Sequence, residues 1–221
     1  MVYHSYPGEG YEEGPAKIGL AHTNDPTLTR WTRFEQPILS WEDGAEWERG
    51  GLYKSCLLQH EGTFYLFYNA KNAASPWVEQ IGLATSTDLL HWTRYAGNPI
   101  LRVTPNAWDS RFASDPYVVQ DGDTWVMYYY GFDGGHAQNG IAFSRDLLHW
   151  DKHPEPILRY GKQGLDTKHA HKPAVIDVQG TLYHYYCAVR PSQPSDTAFM
   201  NYGNSAATSE FRCIAVATGE D

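Results

Sequence analysis

The chain has 221 residues and a formal net charge of −9. That length suits one domain with a sizeable core, and the acidic balance, with no basic run to meet phosphates, argues against a nucleic-acid partner. Aromatic residues are plentiful, with 8 Trp, 16 Tyr and 8 Phe, which favours extended structure over helix. No apolar run approaches the ~20 residues of a membrane helix, and the N-terminus lacks a signal peptide's charged and apolar regions. A cytoplasmic protein without a membrane partner is expected. Cys56, Cys187 and Cys213 cannot all pair with one another and have no zinc spacing, so they read as buried free thiols.

In chain order, "MVYHSYPG" (1–8) resembles the end of an aromatic strand. "IGLAHTNDPTLTRWTRFEQPIL" (18–39) follows, and tighter copies of it are "IGLATSTDLLHWTRYAGNPIL" (81–101) and "GIAFSRDLLHWDKHPEPIL" (140–158). Between and after them lie "YKSCLLQHEGTFYLFYNAKN" (53–72), "SDPYVVQDGDTWVMYYYG" (114–131) and "HKPAVIDVQGTLYHYYCAV" (171–189). Each of these is an apolar strand, a polar turn around Gly and an aromatic strand. "CIAVATGED" (213–221) opens one more copy. The period is roughly 60 residues, four short strands each with no helical pattern between, which is how a β-propeller blade reads.

The expected fold is therefore all-β: a propeller of four-stranded antiparallel blades. Its expected divisions are a partial blade at 1–40, blades at 41–101 and 102–158, and a partial blade at 159–221. About three and a half blades fall short of a ring of four or five. The chain is read as a fragment, or as one that associates with a second copy to complete the propeller. Asp88 and Asp146, ahead of Leu-Leu-His-Trp, are expected to set a turn by side-chain to backbone hydrogen bonds. Trp31, Trp92 and Trp150 repeat and are read as packing residues.

The innermost strands, which would line the central channel, begin at Lys54-Ser55, Asp115-Pro116 and Lys172-Pro173. An acid stands six residues before each lead residue: Glu48, Asp109 and Asp166. Its recurrence reads as structural. What differs between blades is more informative: Lys54, then Ser114-Asp115, then His171-Lys172, converging on one mouth. His169 and His171 have a spacing that can ligate zinc, but no third ligand at a fixed spacing accompanies them. They read as a structural or acid–base pair, and no cofactor or metal is expected.

"FASDPYVVQDGDTWVMYYYG" followed by "IAFSRDLLHW" resembles the five-bladed propeller glycosidases: glycoside hydrolase families 43, 32 and 62, the related family 117, and the family 130 phosphorylases and hydrolases. The resemblance covers nearly the whole chain as a blade pattern. It implies carboxylates on inner strands of different blades around a sugar, one as base or nucleophile and one as acid. It implies a base or pKa-adjusting role for Asp115, and a first-blade inner strand, the usual place of the base, that is absent from this chain. His171-Lys172 stands where many members carry Glu, and family 117 suggests His171 as the acid. Bringing His171 into phase with Asp115 requires a one-residue bulge ahead of Pro173. Glu79 is a further candidate acid, with Glu210 near its equivalent position.

Tyr53, Trp77 and Trp108 are expected to stack on sugar rings, while Asn69, Lys71, Arg111, His169 and Arg190 would contact hydroxyls. Three functions follow as expectations: a glycosidase acting on an oligosaccharide or other glycoside, a catalytically incomplete carbohydrate-binding propeller, or a phosphorylase. In the last, Lys54, Arg111, His171 and Lys172 would hold phosphate.

Overall fold

The computed structural model describes residues 1–9, 13–194, 196 and 210–219. The fold is all-β, with two short 3-10 turns at Trp41–Asp43 and Glu46–Glu48. Strands β1 (Val2–Ser5), β2 (Lys17–His22) and β3 (Thr32–Arg33) form a three-stranded antiparallel sheet. Three further groups succeed one another. They are β4 (Gly51–His60) to β7 (Thr93–Arg94), β8 (Phe112–Asp121) to β11 (Asp151–Lys152), and β12 (His169–Val178) to β14 (Glu210–Thr218). Within the middle two groups, β5 (Thr63–Lys71), β6 (Glu79–Ser86), β9 (Thr124–Phe132) and β10 (Ala137–Ser144) complete the antiparallel order; β13 (Thr181–Pro191) does so in the last. Neighbouring groups touch through single parallel bridges, Glu79 to Phe112 and Ala137 to His169. No helix among the described residues is long and apolar enough to cross a membrane.

Local chemistry explains the repeat. The hairpin turns at Glu61-Gly62 and Gln179-Gly180 carry positive φ at both central residues, the backbone that matches strand twist in two-residue hairpins. In the Leu-Leu-His-Trp turns, Asp88 Oδ1 accepts the N–H groups of Leu90 and His91, and Asp146 Oδ1 those of Leu148 and His149. Leu89 and Leu147 sit at positive φ in these turns, as does Leu28 in the looser first copy. Their carbonyls accept the indole N–H of Trp92, Trp150 and Trp31 respectively.

The upstream acids close a second recurring device. Tyr68 donates to Glu48 Oε1 at 2.5 Å, with Arg94 Nε 3.1 Å from the same oxygen. Lys152 Nζ lies 2.5 Å from Asp109 Oδ2, and Tyr186 donates to Asp166 Oδ2 at 3.0 Å. Trp47 stacks on Tyr68, and Trp108 on Tyr129. The core runs between the groups: Ile18, Leu39, Leu52 and Leu66 in one seam, Phe67, Ile81, Leu101 and Met127 in the next. Cys56, Cys187 and Cys213 are free, half-buried thiols, and burial raises the pKa of each.

Candidate active site

Each of β4, β8 and β12 carries a bulge at the same place. Register slips by one residue between Tyr53 and Ser55, between Ser114 and Tyr117, and between His171 and Ala174. The residue at each bulge has left-handed backbone: Lys54 at φ 26°, Asp115 at φ 53° and Lys172 at φ 61°. Non-glycine residues adopt this conformation at a cost, typically where function or packing demands it. Side chains of three successive strands are thereby turned to one place, and the charges of Lys172 and Lys54 both act on Asp115.

The bulge ahead of Pro173 exists, yet it does not bring His171 into Asp115's position. Because every inner strand has the same bulge, Lys172 takes the place of Asp115 and His171 that of Ser114. His171 is buried, its Nδ1 lies 3.1 Å from the Cys187 carbonyl, and its ring meets Tyr130 edge-on. Burial, and secondly the Lys172 charge, push its pKa down to about 3. That leaves a neutral imidazole near pH 7, without the acidic imidazolium proton that a general acid would give up.

Asp115 is half-buried, and desolvation pushes its pKa up to about 6 against the pull of Lys172 and Lys54. The Glu79 charge adds to the rise. Glu79 starts β6 and is linked to Asp115 through one hydroxyl: Ser114 Oγ lies 2.8 Å from Glu79 Oε2 and 3.2 Å from Asp115 Oδ1. Its single proton serves one carboxylate at a time. Asn69 Nδ2 donates to Ser114 Oγ at 2.7 Å and to Glu79 Oε2 at 3.2 Å, and Trp77 Nε1 donates to Glu79 Oε1 at 3.0 Å. Ser114 was read from the sequence only as a variable residue at the mouth, with no role in the site; its link between Glu79 and Asp115 appears in the folded chain.

Around this pair stand several of the expected sugar contacts. Lys71 Nζ lies over Tyr53 at 4.9 Å and over Trp77 at 5.3 Å, and Arg111 packs on Trp77 and Phe112. Trp77 is exposed. Three expected contacts are placed elsewhere. Trp108 is stacked on Tyr129 at 5.7 Å, with its Nε1 donating to the Pro154 carbonyl, so its ring is used in packing. Arg190 is held by both oxygens of Asp196 at 2.7 and 2.8 Å, which occupies its donors. His169 accepts the Ala137 N–H on Nδ1 and stands 4.0 Å from Glu210 on Nε2; burial pushes its pKa down to about 4.

Glu210 and Glu79 do share a position, the first residue of a third strand, paired with Pro191 and Lys71. Lys168 and Arg212 both bind Glu210, whereas Glu79 has no cation within ion-pair distance among the described residues. Among the described residues, no three His, Cys, Asp or Glu side chains gather in a way that could hold a metal ion.

Comparison with known proteins agrees with this architecture. The family model of the glycosyl hydrolases family 32 N-terminal domain matches residues 1–167. The chain is 28% identical over 162 residues to uncharacterized protein MT1551 of Mycobacterium tuberculosis, covering 69% of this chain and 53% of that protein. It is 28% identical over 143 residues to the β-1,2-mannobiose phosphorylase of Thermoanaerobacter sp., covering 57% and 46%. It thus spans about half the length of these relatives. Among solved structures, a complex of BT0996 with RGII superposes with TM-score 0.81 at 30% identity, covering all of this protein and 62% of that one. The Bombyx mori β-fructofuranosidase BmSUC1 superposes with TM-score 0.72 at 19% identity, covering 99% and 42%. With a bulged strand repeated on one period and a family match over most of its length, the chain belongs to the glycosyl hydrolases family 32 N-terminal domain family, with the β-propeller fold of these glycoside hydrolases.

Proposed function

We propose that the protein cleaves a glycosidic bond at the mouth framed by β4, β8 and β12. Asp115 is the proton donor in this reading, kept protonated chiefly by its desolvation, with the Glu79 charge adding to it. The carrying observation is the pair on one hydroxyl: a desolvated Asp115, pushed up to about 6, facing Glu79 across Ser114. A carboxyl with that pKa keeps a useful protonated fraction near neutral pH, which a general acid needs. As the bond from the anomeric carbon to the leaving oxygen breaks, the Asp115 proton passes to that oxygen. The electron-poor sugar carbon is then captured by an acceptor. This exchanges the roles expected from the sequence, where Glu79 was a candidate acid and Asp115 a base or modulator. Neutral His171 serves as a packing and hydrogen-bonding residue.

A second reading differs only in the acceptor. Lys54 and Lys172 have no carboxylate within ion-pair distance among the described residues, and the chain resembles a phosphorylase at 28% identity. Phosphate held by those lysines would then replace water. Screening aryl glycosides and β-1,2-mannobiose, with and without phosphate, tests both readings. Asp115→Asn is expected to lower turnover by at least about 100-fold, the usual weight of a general acid, and to leave sugar binding intact. Binding without turnover by the unaltered protein would favour a non-catalytic carbohydrate-binding propeller.

A further inference from the structure

Most half-buried cations elsewhere in this chain are matched to acids, Arg94 with Glu48, Lys152 with Asp109, Lys168 with Glu210 and Arg190 with Asp196, while Arg49 donates to the Trp41 and Glu42 carbonyls instead. The mouth breaks that rule. Lys54, Lys71, Arg111 and Lys172 are each half-buried there, and none has a carboxylate within ion-pair distance among the described residues. Lys71 and Arg111 lie on aromatic faces, Tyr53 and Trp77 for the lysine, Trp77 and Phe112 for the arginine. The two carboxylates present, Glu79 and Asp115, take their hydrogen bonds from Trp77, Asn69 and Ser114 instead. Four cations against two acids make this a positive spot in a protein of net charge −9. Such local excess in a low-dielectric cleft concentrates anions.

A neutral sugar would leave Lys54 and Lys172 partly desolvated with Asp115 as their one shared nearby counter-charge, an arrangement that costs free energy. An anion on the ligand would supply another. Both lysines are held on strained left-handed backbone on either side of Asp115's strand, so their convergence is built into the bulges rather than left to mobile surface side chains. We propose that the mouth takes a saccharide carrying its own oxyanion, a uronic-acid carboxylate or a sulfate ester, seated between Lys54 and Lys172. The proposal rests on the glycoside-cleaving reading of the same site and specifies its substrate class. Placing the anion on the sugar also sets it beside the acid, where its charge helps to keep Asp115 protonated.

The test uses matched aryl glycosides that differ only at C6, galacturonide against galactoside and glucuronide against glucoside, with a sulfated galactoside as a third arm. Affinity is read by calorimetry and turnover by release of the aryl group, each at low and high salt. Expected is at least tenfold tighter binding of one charged ligand over its neutral partner. That preference should shrink with salt and be lost in both Lys54→Gln and Lys172→Gln, whose folding is checked by circular dichroism. Neutral glycosides cleaved as well as or better than charged ones would overturn the proposal while leaving the glycoside-cleaving reading in place. So would free phosphate accelerating neutral-glycoside cleavage in a Lys172-dependent way, because the oxyanion would then be the co-substrate. Failure to bind any of these sugars would overturn both.

Discussion

Asp115 and Lys172 occupy the same position of two successive inner strands, each on the extra residue of a bulge and each at positive φ, 53° and 61°. One backbone device thus presents a carboxylate from one strand and an ammonium group from the next. Chemical variety at the mouth comes from substitution at a geometrically constant point, with Lys54 as the third instance.

The raised pKa of Asp115 gives a pH signature. Turnover should fall as pH rises through about 6, where the acid loses its proton. Folding should respond as well. The native pKa lies above the unfolded value, so Asp115 contributes stability that is complete below about 4 and lost between about 4 and 6. Asp115→Asn should therefore raise stability at pH 7.5 by about 1–2 kcal/mol, allowing for partial solvent screening. Its advantage should vanish at pH 4. Urea unfolding at both pH values reads the difference, and equal stability at pH 7.5 would contradict a desolvated Asp115.

Three histidines act in the opposite direction. Burial pushes His169 and His184 down to about 4 and His171 to about 3. In the unfolded chain each takes a proton near 6.5, so stability should decline as pH falls from about 6.5 toward 4. Three such groups outweigh the single opposing Asp115. His184→Phe should make the melting temperature fall less steeply over that range. An unchanged slope would mean that His184 is not buried against Tyr128.

Glu48 is fully buried and depends on Arg94 and Tyr68. Arg94→Met should cost about 3 kcal/mol or more, because it strands a buried carboxylate. Arg159→Met removes an exposed pair with Glu155 and should cost less than about 1 kcal/mol. Comparable losses in chemical denaturation would show that Glu48 does not depend on Arg94 for its burial.

The Asp146 turn accepts two backbone N–H groups and pairs with His149. Asp146→Ala should lower stability by about 1 kcal/mol, as loss of a capping side chain does, with kcat and KM unchanged. A fall in kcat at full folding would instead assign this turn a part in the reaction.

The division between what could be read and what could not follows the range of the interactions. The strand repeat, the Gly hairpins and the Asp-Leu-Leu-His-Trp turns were legible, because each closes on hydrogen bonds to residues two to four positions away. The recurring acids were legible as structural for a different reason: their partners are distant in sequence, but periodicity itself argues against a unique role. The mouth was legible only as a set of strand ends.

Which side chains meet there was decided by tertiary structure. Ser114 joins Glu79 and Asp115 because β6 and β8 lie side by side, a proximity no local pattern encodes. Desolvation holds His171 neutral, and Trp108 and Arg190 are engaged by Tyr129 and Asp196. By itself, the sequence determined the all-β blade pattern and where its strands begin, since those depend on side-chain alternation and turn chemistry. Protonation, pairing and the shared bulge register were decided only in the folded chain, because they depend on how far water is excluded and on which distant charges remain when it is.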